Sequence, residues 1–308
     1  MSGRVRRLLR IDRNVSDLPD AIAFYCDALG FSLVIETRLD DPALGELVGI
    51  PGASARSALL RLGEQEIELT AFDPPGRAYP SESRSTDLWF QHLAIVVADM
   101  AAAYARLRRH PFLAISEGGP QRLPPNTGSV TAFKFRDSDG HPLELLHFPS
   151  GAGDPIWQNK PDAQAVFLGV DHSAISVADA AESIDFYTRL LGFHVAGRSI
   201  NSGVEQTRLD HAPGVRVNVV ALEPIEARTP HVELLGYERP TGRPIPAGVK
   251  PNDVLADRLV LEVDDLPQLL HVLESENLVS SGLVTSIDGR RSVLARDPSG
   301  HLLLLTQA

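Results

Sequence analysis

The chain has 308 residues, of which 43% are apolar, and it carries a formal net charge of −11 and one cysteine, Cys26. This length suits two domains with apolar cores, and the acidic balance argues against nucleic acid or anionic membranes, which bind basic surfaces. One cysteine excludes an internal disulfide. With no apolar run of about 18 residues and no signal-peptide pattern, we expect a cytoplasmic protein.

The first elements in chain order are a short apolar strand around Arg10 and a helix. Asp17 supplies N-cap chemistry, apolar residues recur at helical spacing from Ile22 to Leu29, and Gly30 fits a left-handed C-cap. The same order, strand and then helix, returns later in the chain. Further strand-like segments are predicted at 57–62, 66–71, 93–97, 132–135, 143–147, 216–222 and 232–235.

An internal repeat organises these elements. The segment 20–31 recurs as 182–193, an offset of 162 residues, and 136–141 recurs as 296–301, an offset of 160. Each half divides again, because matching first-strand positions are 82, 80 and 86 residues apart. These positions are Arg10, His92, His172 and Arg258. The chain therefore consists of four modules of about 80 residues, a periodicity that is read before any other pattern.

Each module has the order strand, helix and about three strands, which predicts an α+β fold of four βαβββ modules. A linker rich in Pro and Gly at 149–162 separates two predicted halves. The N-terminal half is 6–150, with modules 6–72 and 88–148. The C-terminal half is 165–308, with modules 166–237 and 256–306.

Two histidines and two glutamates occupy matching points of the second and third modules. His92 and His172 each stand seven residues before an Asp, at the start of an apolar strand. Glu144 and Glu233 lie inside later apolar strands, where an unpaired carboxylate would be costly to bury. A lone His or Glu is commonly an ordinary core residue. The joint register of all four instead favours one divalent-metal site.

Several sequence pieces resemble the vicinal-oxygen-chelate superfamily, which includes glyoxalase I, bleomycin-resistance proteins and extradiol dioxygenases. They are Asp-His before an apolar strand, Phe-Tyr…Leu-Gly-Phe at 24–31 and 186–193, and Asp-Ser-Asp-Gly-His-Pro-Leu-Glu-Leu at 137–145. The resemblance covers residues 6–306. It implies that modules pair into two cup-shaped mixed β-sheets flanked by helices, with a metal ion in a cup.

The resemblance also implies ligand positions on the first and last strands of each module. In chain order these pairs are Arg10 with Glu68, His92 with Glu144, His172 with Glu233, and Arg258 with Leu304. Pairing in sequence order (1+2 and 3+4) would put an Arg, a permanent cation, into each cup. Pairing 2+3 and 1+4 would collect the four His and Glu ligands and leave an Arg10–Glu68 ion pair in the other cup. We favour the second arrangement because a buried charge needs its partner.

By resemblance, the chain is a metal-dependent lyase, isomerase or epimerase of glyoxalase type, with enolate chemistry on a small oxygenated substrate. One divalent ion (Ni, Zn, Co, Mn, Fe or Mg) would be held by His92, Glu144, His172 and Glu233, and Glu144 or Glu233 would move the proton. We expect no nucleic-acid or membrane partner, and a monomer or homodimer.

Two alternatives remain open. An extradiol ring-cleaving dioxygenase has four modules, but its ligands usually come from modules three and four, where Arg258 and Leu304 stand. A non-catalytic protein that binds a small molecule or antibiotic would use the cup without chemistry. His231 could support a ligand or face the substrate, but it is interpreted as a rim residue. Other polar residues could line the cup, of which one or two would contact the substrate: Arg122, Asn126, Thr131, Lys134, Arg136, Asn201, Glu205, Gln206 and Arg208.

Overall fold

A computed structural model of the protein describes residues 3–158, 165–279, 281, 284–285 and 289–307, with the backbone alone at 284–285. The end of the predicted linker, 159–162, and positions 280, 282–283 and 286–288 of the predicted fourth module lie outside these residues. Within them, no helix is both long and apolar enough to cross a membrane.

The described strands and helices follow the predicted modular order. The strands are β1 (Val5–Asn14), β2 (Ser32–Leu39), β3 (Ser54–Leu62), β4 (Gln65–Asp73), β5 (Gln91–Val97), β6 (Leu113–Ala114), β7 (Gln121–Arg122), β8 (Thr131–Arg136), β9 (Pro142–His147), β10 (Phe167–Ser176), β11 (His194–Ser202), β12 (Arg216–Glu223), β13 (His231–Arg239), β14 (Arg258–Val263), β15 (Val284–Thr285), β16 (Arg291–Arg296) and β17 (Leu302–Gln307). The helices are α1 (Leu18–Leu29), α2 (Pro42–Leu47), α3 (Met100–Leu107), α4 (Ala180–Asp185), α5 (Val204–Asp210) and α6 (Leu266–Ser275).

The strands form two mixed sheets, which confirms the predicted α+β class. The inner sheet has the order β11-β12-β13-β10-β5-β9-β8-β6, with β7 on β8, and combines the second and third modules. The outer sheet has the order β15-β16-β17-β14-β1-β4-β3-β2 and combines the first and fourth. The favoured 2+3 and 1+4 pairing is therefore confirmed. Each sheet takes one module from each half of the chain, while the boundaries drawn for the two halves stay a prediction.

Local sequence signals explain the ends of α1 and of α4, which continues beyond Asp185 as a π-helical segment, Phe186–Leu190. The Asp17 side chain accepts a hydrogen bond from the backbone N–H of Asp20, and Asp179 caps α4 in the same way. Gly30 and Gly192 both have φ of 79°, a left-handed conformation that glycine adopts without strain. The aspartates mark where each helix begins after its first strand, and the glycines mark where it ends. Both helices pack on an apolar core shared by all four modules.

The outer cup is filled by the protein itself. Helix α2 packs against β3 and β16, and its Leu47 joins an apolar cluster with Leu294, Leu302 and Leu304 on the cup face. The sequence pattern did not predict this short helix. Since the last-strand position Leu304 belongs to that cluster, the outer cup is closed by apolar contacts where the inner cup holds a cavity.

Candidate metal centre in the inner cup

The four predicted ligands lie on one face of the inner sheet at positions related by an approximate two-fold axis. In the antiparallel β5–β10 pair, His92 is opposite Ala174 and His172 is opposite Ala94. Glu144 is then the neighbour of Ala94, and Glu233 the neighbour of Ala174. Directly opposed residues share a face, as do residues two apart on a strand. The register alone therefore directs all four side chains into the same cup.

The donor atoms of these residues approach one another closely. The Nε2 atom of His92 is 3.1 Å from Oε2 of Glu144, and Nε2 of His172 is 3.8 Å from the same oxygen. Glu233 joins the group through an Oε2–Nε2 distance of 3.4 Å to His172. Two ligands bound about 2.1 Å from one ion are separated by roughly 3.0–3.4 Å. The spacing of His92, Glu144 and His172 is close to this range and compatible with a shared divalent cation, with Glu233 beside His172.

A buried nitrogen atom without a hydrogen-bond partner provides a second test of whether these residues suit a metal ion. His172 is buried, and its Nε2 makes no hydrogen bond although it faces two carboxylates. Buried polar atoms are nearly always satisfied, so such an atom needs an explanation. A set of two imidazoles and two carboxylates suits first-row divalent ions. Among the described residues, two groups are close enough to hold a metal: His92, Glu144 and His172, and Asp171, His172 and His231. Glu233 belongs to neither group and approaches the first through His172.

Burial and neighbouring charged side chains set the protonation of the residues in the inner cup. Burial alone would lower the pKa of His172, but the charge of Glu233 and the hydrogen bond to Asp171 raise it to about 9. Burial and Lys134 hold the pKa of His92 below its usual range. Burial would raise the pKa of Glu233, but His172 and His231 together outweigh it and lower the pKa to about 2. At neutral pH Glu144 and Glu233 are ionised, and His172 carries a proton.

Sequence reasoning did not single out the residues that hold His172. Its Nδ1 lies 2.9 Å from Oδ2 of Asp171, and the other oxygen of Asp171 accepts a hydrogen bond of 2.6 Å from the Trp157 indole. The Asp-His pair was visible in the sequence. The direct contact between the two side chains was not predicted, since neighbouring residues of a regular strand point to opposite faces.

A cavity of about 400 Å³ opens above the four residues. One part of its wall is apolar, with Leu123, Leu146 and Phe148, and another part carries Lys134, Gln206 and Tyr237. These three polar side chains all bond to the buried Asp210, at 2.7, 2.8 and 3.1 Å. The cavity volume lies in the range of small-molecule sites.

The other sequence candidates divide between the cavity and the surrounding structure. Asn126, Asn201 and Gln206 line the cavity together with Lys134. Arg136 is instead held by the carbonyls of Gly140 and Ser83. The interpretation of His231 as a rim residue is wrong. Its ring is buried next to His172, at a centroid distance of 5.3 Å, because the two residues are neighbours in the β10–β13 register.

The outer cup contains the predicted ion pair. Arg10 reaches Glu68 at 2.7 Å and, in addition, Asp12 at 2.8 Å. Sequence reasoning missed Asp12. Arg258, the other cation of this cup, donates to the Asn14 side chain at 2.9 Å. A guanidinium group occupies each first-strand position where the inner cup has an imidazole.

These features define a chain with duplicated βαβββ modules and a His/Glu cluster in one cup, and the comparisons with known proteins agree. The family model described as Glyoxalase/Bleomycin resistance protein/Dioxygenase superfamily matches residues 7–145 and 169–305. The chain belongs to this superfamily, whose members are mostly enzymes that act on small-molecule substrates and bind a divalent metal.

Two curated relatives each match less than half of the chain. A 2-epi-5-epi-valiolone epimerase from Actinomyces sp. is 33% identical over 146 residues, which is 45% of this chain and 77% of the relative. The uncharacterized protein YaeR of Escherichia coli (strain K12) is 36% identical over 124 residues, 40% of this chain and 81% of the relative.

Solved structures extend the likeness to the whole fold. Glyoxalase I from Zea mays superposes with a TM-score of 0.63 at 17% identity, covering 98% of this chain and 92% of that one. A putative dioxygenase from Bacillus subtilis subsp. subtilis str. 168 gives 0.59 at 13% identity, covering 99% and 86%. At these identities the likeness concerns the fold alone.

Proposed function

We propose that the protein is a metal-dependent epimerase or isomerase that moves a proton next to the carbonyl of a small hydroxycarbonyl substrate. The observation that carries this proposal is the convergence of two carboxylates from separate modules, Glu144 and Glu233, on the unpaired Nε2 of His172. His92, Glu144, His172 and Glu233 would hold one divalent ion. The ion would supply Lewis-acid polarisation of two adjacent substrate oxygens.

The two glutamates have the position and charge of proton carriers. Glu144 and Glu233 come from opposite sides of the approximate two-fold axis, and both are ionised at neutral pH because their pKa values are lowered. One carboxylate takes the proton from the carbon beside the carbonyl, and the C–H electron pair forms the enol double bond. The carbonyl electron pair moves to oxygen in this step. The other carboxylate, once it has taken a proton from solvent, would deliver that proton to the opposite face, and the first carboxylate would release its proton to solvent, so that both are regenerated. Carboxylates on two sides therefore support inversion at that carbon.

The lining of the cavity supports a polar substrate. Lys134 bonds to Asp210 and keeps further N–H donors, and the Oε1 atom of Gln206 is buried without a partner. Such groups suit hydroxyl groups, which can both donate and accept hydrogen bonds. A ligand without them would leave these buried polar atoms unpaired, at a cost in binding free energy. The Actinomyces relative is by its name an epimerase of a valiolone. We infer a small polyhydroxylated ketone or aldehyde as the substrate class.

Both alternatives make different predictions. The extradiol layout would require ligands from modules three and four, but Arg258 and Leu304 lie in the outer sheet and Leu304 packs in an apolar cluster. A binding protein without chemistry would hold the metal and the ligand but would not exchange a substrate proton.

The test is deuterium exchange in D₂O. Protein loaded with Ni²⁺, Co²⁺ or Zn²⁺ is incubated with polyhydroxylated cyclic ketones, and NMR follows the hydrogen beside the carbonyl. We expect exchange and the appearance of an epimer, lost in Glu144→Gln and Glu233→Gln. Glu68→Gln, at the matching strand position of module one, is the control and should keep the activity. Metal-loaded protein that binds these ketones without exchange would favour the binding protein, and Fe²⁺-dependent oxygen uptake with catechols would favour the dioxygenase.

A further inference from the structure

Asp171 occupies an irregularity in strand β10. Val170 is opposite Ile95 and His172 is opposite Ala94, so two steps along β10 correspond to one step along β5 and Asp171 is the additional residue. A β-bulge of this kind re-aims side chains and is common beside functional sites. Here it brings the side chains of two consecutive residues, Asp171 and His172, into contact on one side of the strand.

Both oxygens of Asp171 are engaged in this contact network. Oδ2 is 2.9 Å from Nδ1 of His172, and Oδ1 accepts the Trp157 indole N–H at 2.6 Å. The Asp171 carboxylate is buried, so its charge needs hydrogen-bond donors, and Nε1 of Trp157 and Nδ1 of His172 are the groups placed to supply them. An ionised carboxylate is only an acceptor, so Nδ1 of His172 must be the donor.

We propose that Asp171 is a positioning residue that holds His172 in the orientation and tautomer that offers Nε2 to a metal ion in the inner cup. This inference rests on the proposed metal-dependent function. A hydrogen on Nδ1 leaves the Nε2 lone pair as the ligand, and Nε2 is the atom that faces Glu144 and Glu233. Acceptors behind metal-binding imidazoles fix the ring and raise its basicity.

The second histidine of the cup has no such support. Gln91 precedes His92 at the matching position of module two, but its side chain donates to the hydroxyl of Ser173 at 3.1 Å. Nδ1 of His92 is buried without a hydrogen-bond partner. The four ligands are related by approximate two-fold symmetry, but the hydrogen-bond partners of the two histidines are therefore different. His172 is the pre-oriented ligand, and Gln91 offers a matched control for Asp171.

The experiment measures Zn²⁺ affinity of the full-length protein by competition with a chromophoric chelator. Asp171→Asn keeps the shape of the side chain but has one acceptor oxygen for two donors, the Trp157 indole and His172. We expect a loss of about 10–100-fold in affinity, the usual effect of losing such a partner. Gln91→Ala should stay within about threefold of the wild type, because the Gln91 side chain donates to Ser173 and Nδ1 of His92 has no hydrogen-bond partner.

A double variant separates positioning from a general structural effect. Trp157→Phe removes the competing donor, so in Asp171→Asn/Trp157→Phe the amide oxygen is free to accept from Nδ1 of His172. We expect most of the lost affinity to return, whereas Trp157→Phe alone should change little. If Asp171 only stabilised the fold, the second substitution would make the loss greater. Thermal unfolding of the metal-free variants checks that each is folded.

Each outcome decides one claim. Equal Zn²⁺ affinity of the wild type and Asp171→Asn would overturn the role of Asp171 and leave the metal site standing. A loss that the double variant deepens would make Asp171 a structural residue or a direct ligand, and would also overturn the inference. Absence of stoichiometric Zn²⁺ binding by the wild type would overturn both the inference and the proposed function.

Discussion

In the proposed metal site, His172 is the ligand whose protonation would oppose cation binding. In the metal-free protein its pKa is about 9, against an ordinary value of 6.5, because Glu233, Asp171 and Glu144 outweigh burial. A metal ion must therefore displace a proton from Nε2 at neutral pH. Metal binding and protonation compete at the same ligand atom.

We expect Zn²⁺ affinity to increase with pH from 6 to about 9. The release of one proton corresponds to about a tenfold change per pH unit. Competition titrations at pH 6, 7 and 8, corrected for the chelator, measure this slope. An affinity that does not change over this interval would contradict the assignment of Nε2 of His172 as a ligand.

The outer cup shows a different balance of charge at the residue scale. Arg10 faces two carboxylates, Asp12 and Glu68. Burial and the charge of Glu68 outweigh Arg10 and raise the pKa of Asp12 from 3.8 to about 6. Because the folded state holds this proton more tightly, the group contributes stability below pH 3.8, and this contribution is lost as the pH rises through 6.

Asp12→Asn should therefore raise the free energy of unfolding at pH 8, by about 1–3 kcal/mol given about 1.4 kcal/mol per pKa unit. It should also flatten the fall in stability between pH 4 and 7. Urea unfolding at several pH values measures both effects, with the exposed Glu64→Gln as a control that leaves the profile unchanged. A destabilised Asp12→Asn at pH 8 would show that the ion pair with Arg10 outweighs the burial of Asp12.

At the scale of elements, helix α5 and strand β8 are joined by a buried ion pair. Lys134 of β8 and Asp210 at the end of α5 are both almost fully buried and 2.7 Å apart. Asp210 also accepts from Gln206 and Tyr237. The pair links the second module to the third across the wall of the cavity.

Asp210→Ala should destabilise the protein by about 3–5 kcal/mol, since it strands a buried ammonium group. The combined change Asp210→Leu/Lys134→Met should cost much less, because no unpaired charge remains. Urea unfolding compares the two, with Glu205→Ala on the exposed side of α5 as the control. Equal losses for the single and double variants would indicate that α5 packing, and not the ion pair, carries the stability.

The sequence predicts the long elements well and the short ones poorly. Helix α1 has an N-cap, helical apolar spacing and a glycine C-cap, and each of these signals acts locally. Helices α2 and α5 have six and seven residues, too few for a periodic pattern to identify. The bulge at Asp171 is also invisible in the sequence, because it depends on the register against β5. Trp157, which holds Asp171, lies inside the Pro/Gly-rich segment 149–162 that was interpreted as a linker.

At the scale of the whole molecule, charge complementarity was enough to predict how the modules pair. Pairing in sequence order would have placed Arg10 beside His92 and Arg258 beside His172, and a permanent cation in a metal cup is unfavourable. The observed sheets avoid this conflict. The same reasoning could not predict how the outer cup is closed. Helix α2, which packs into it, is a mainly apolar segment without a charge pattern that would indicate its place.

The number of divalent ions per chain tests the central claim most directly. Elemental analysis of protein dialysed against Zn²⁺ should give one ion per chain, lost in His172→Ala and in Glu144→Ala but retained in Glu68→Ala. One ion is expected because the inner cup collects His92, Glu144, His172 and Glu233 while the outer cup holds guanidinium groups and helix α2. A second ion per chain, or one that survives His172→Ala, would contradict the account.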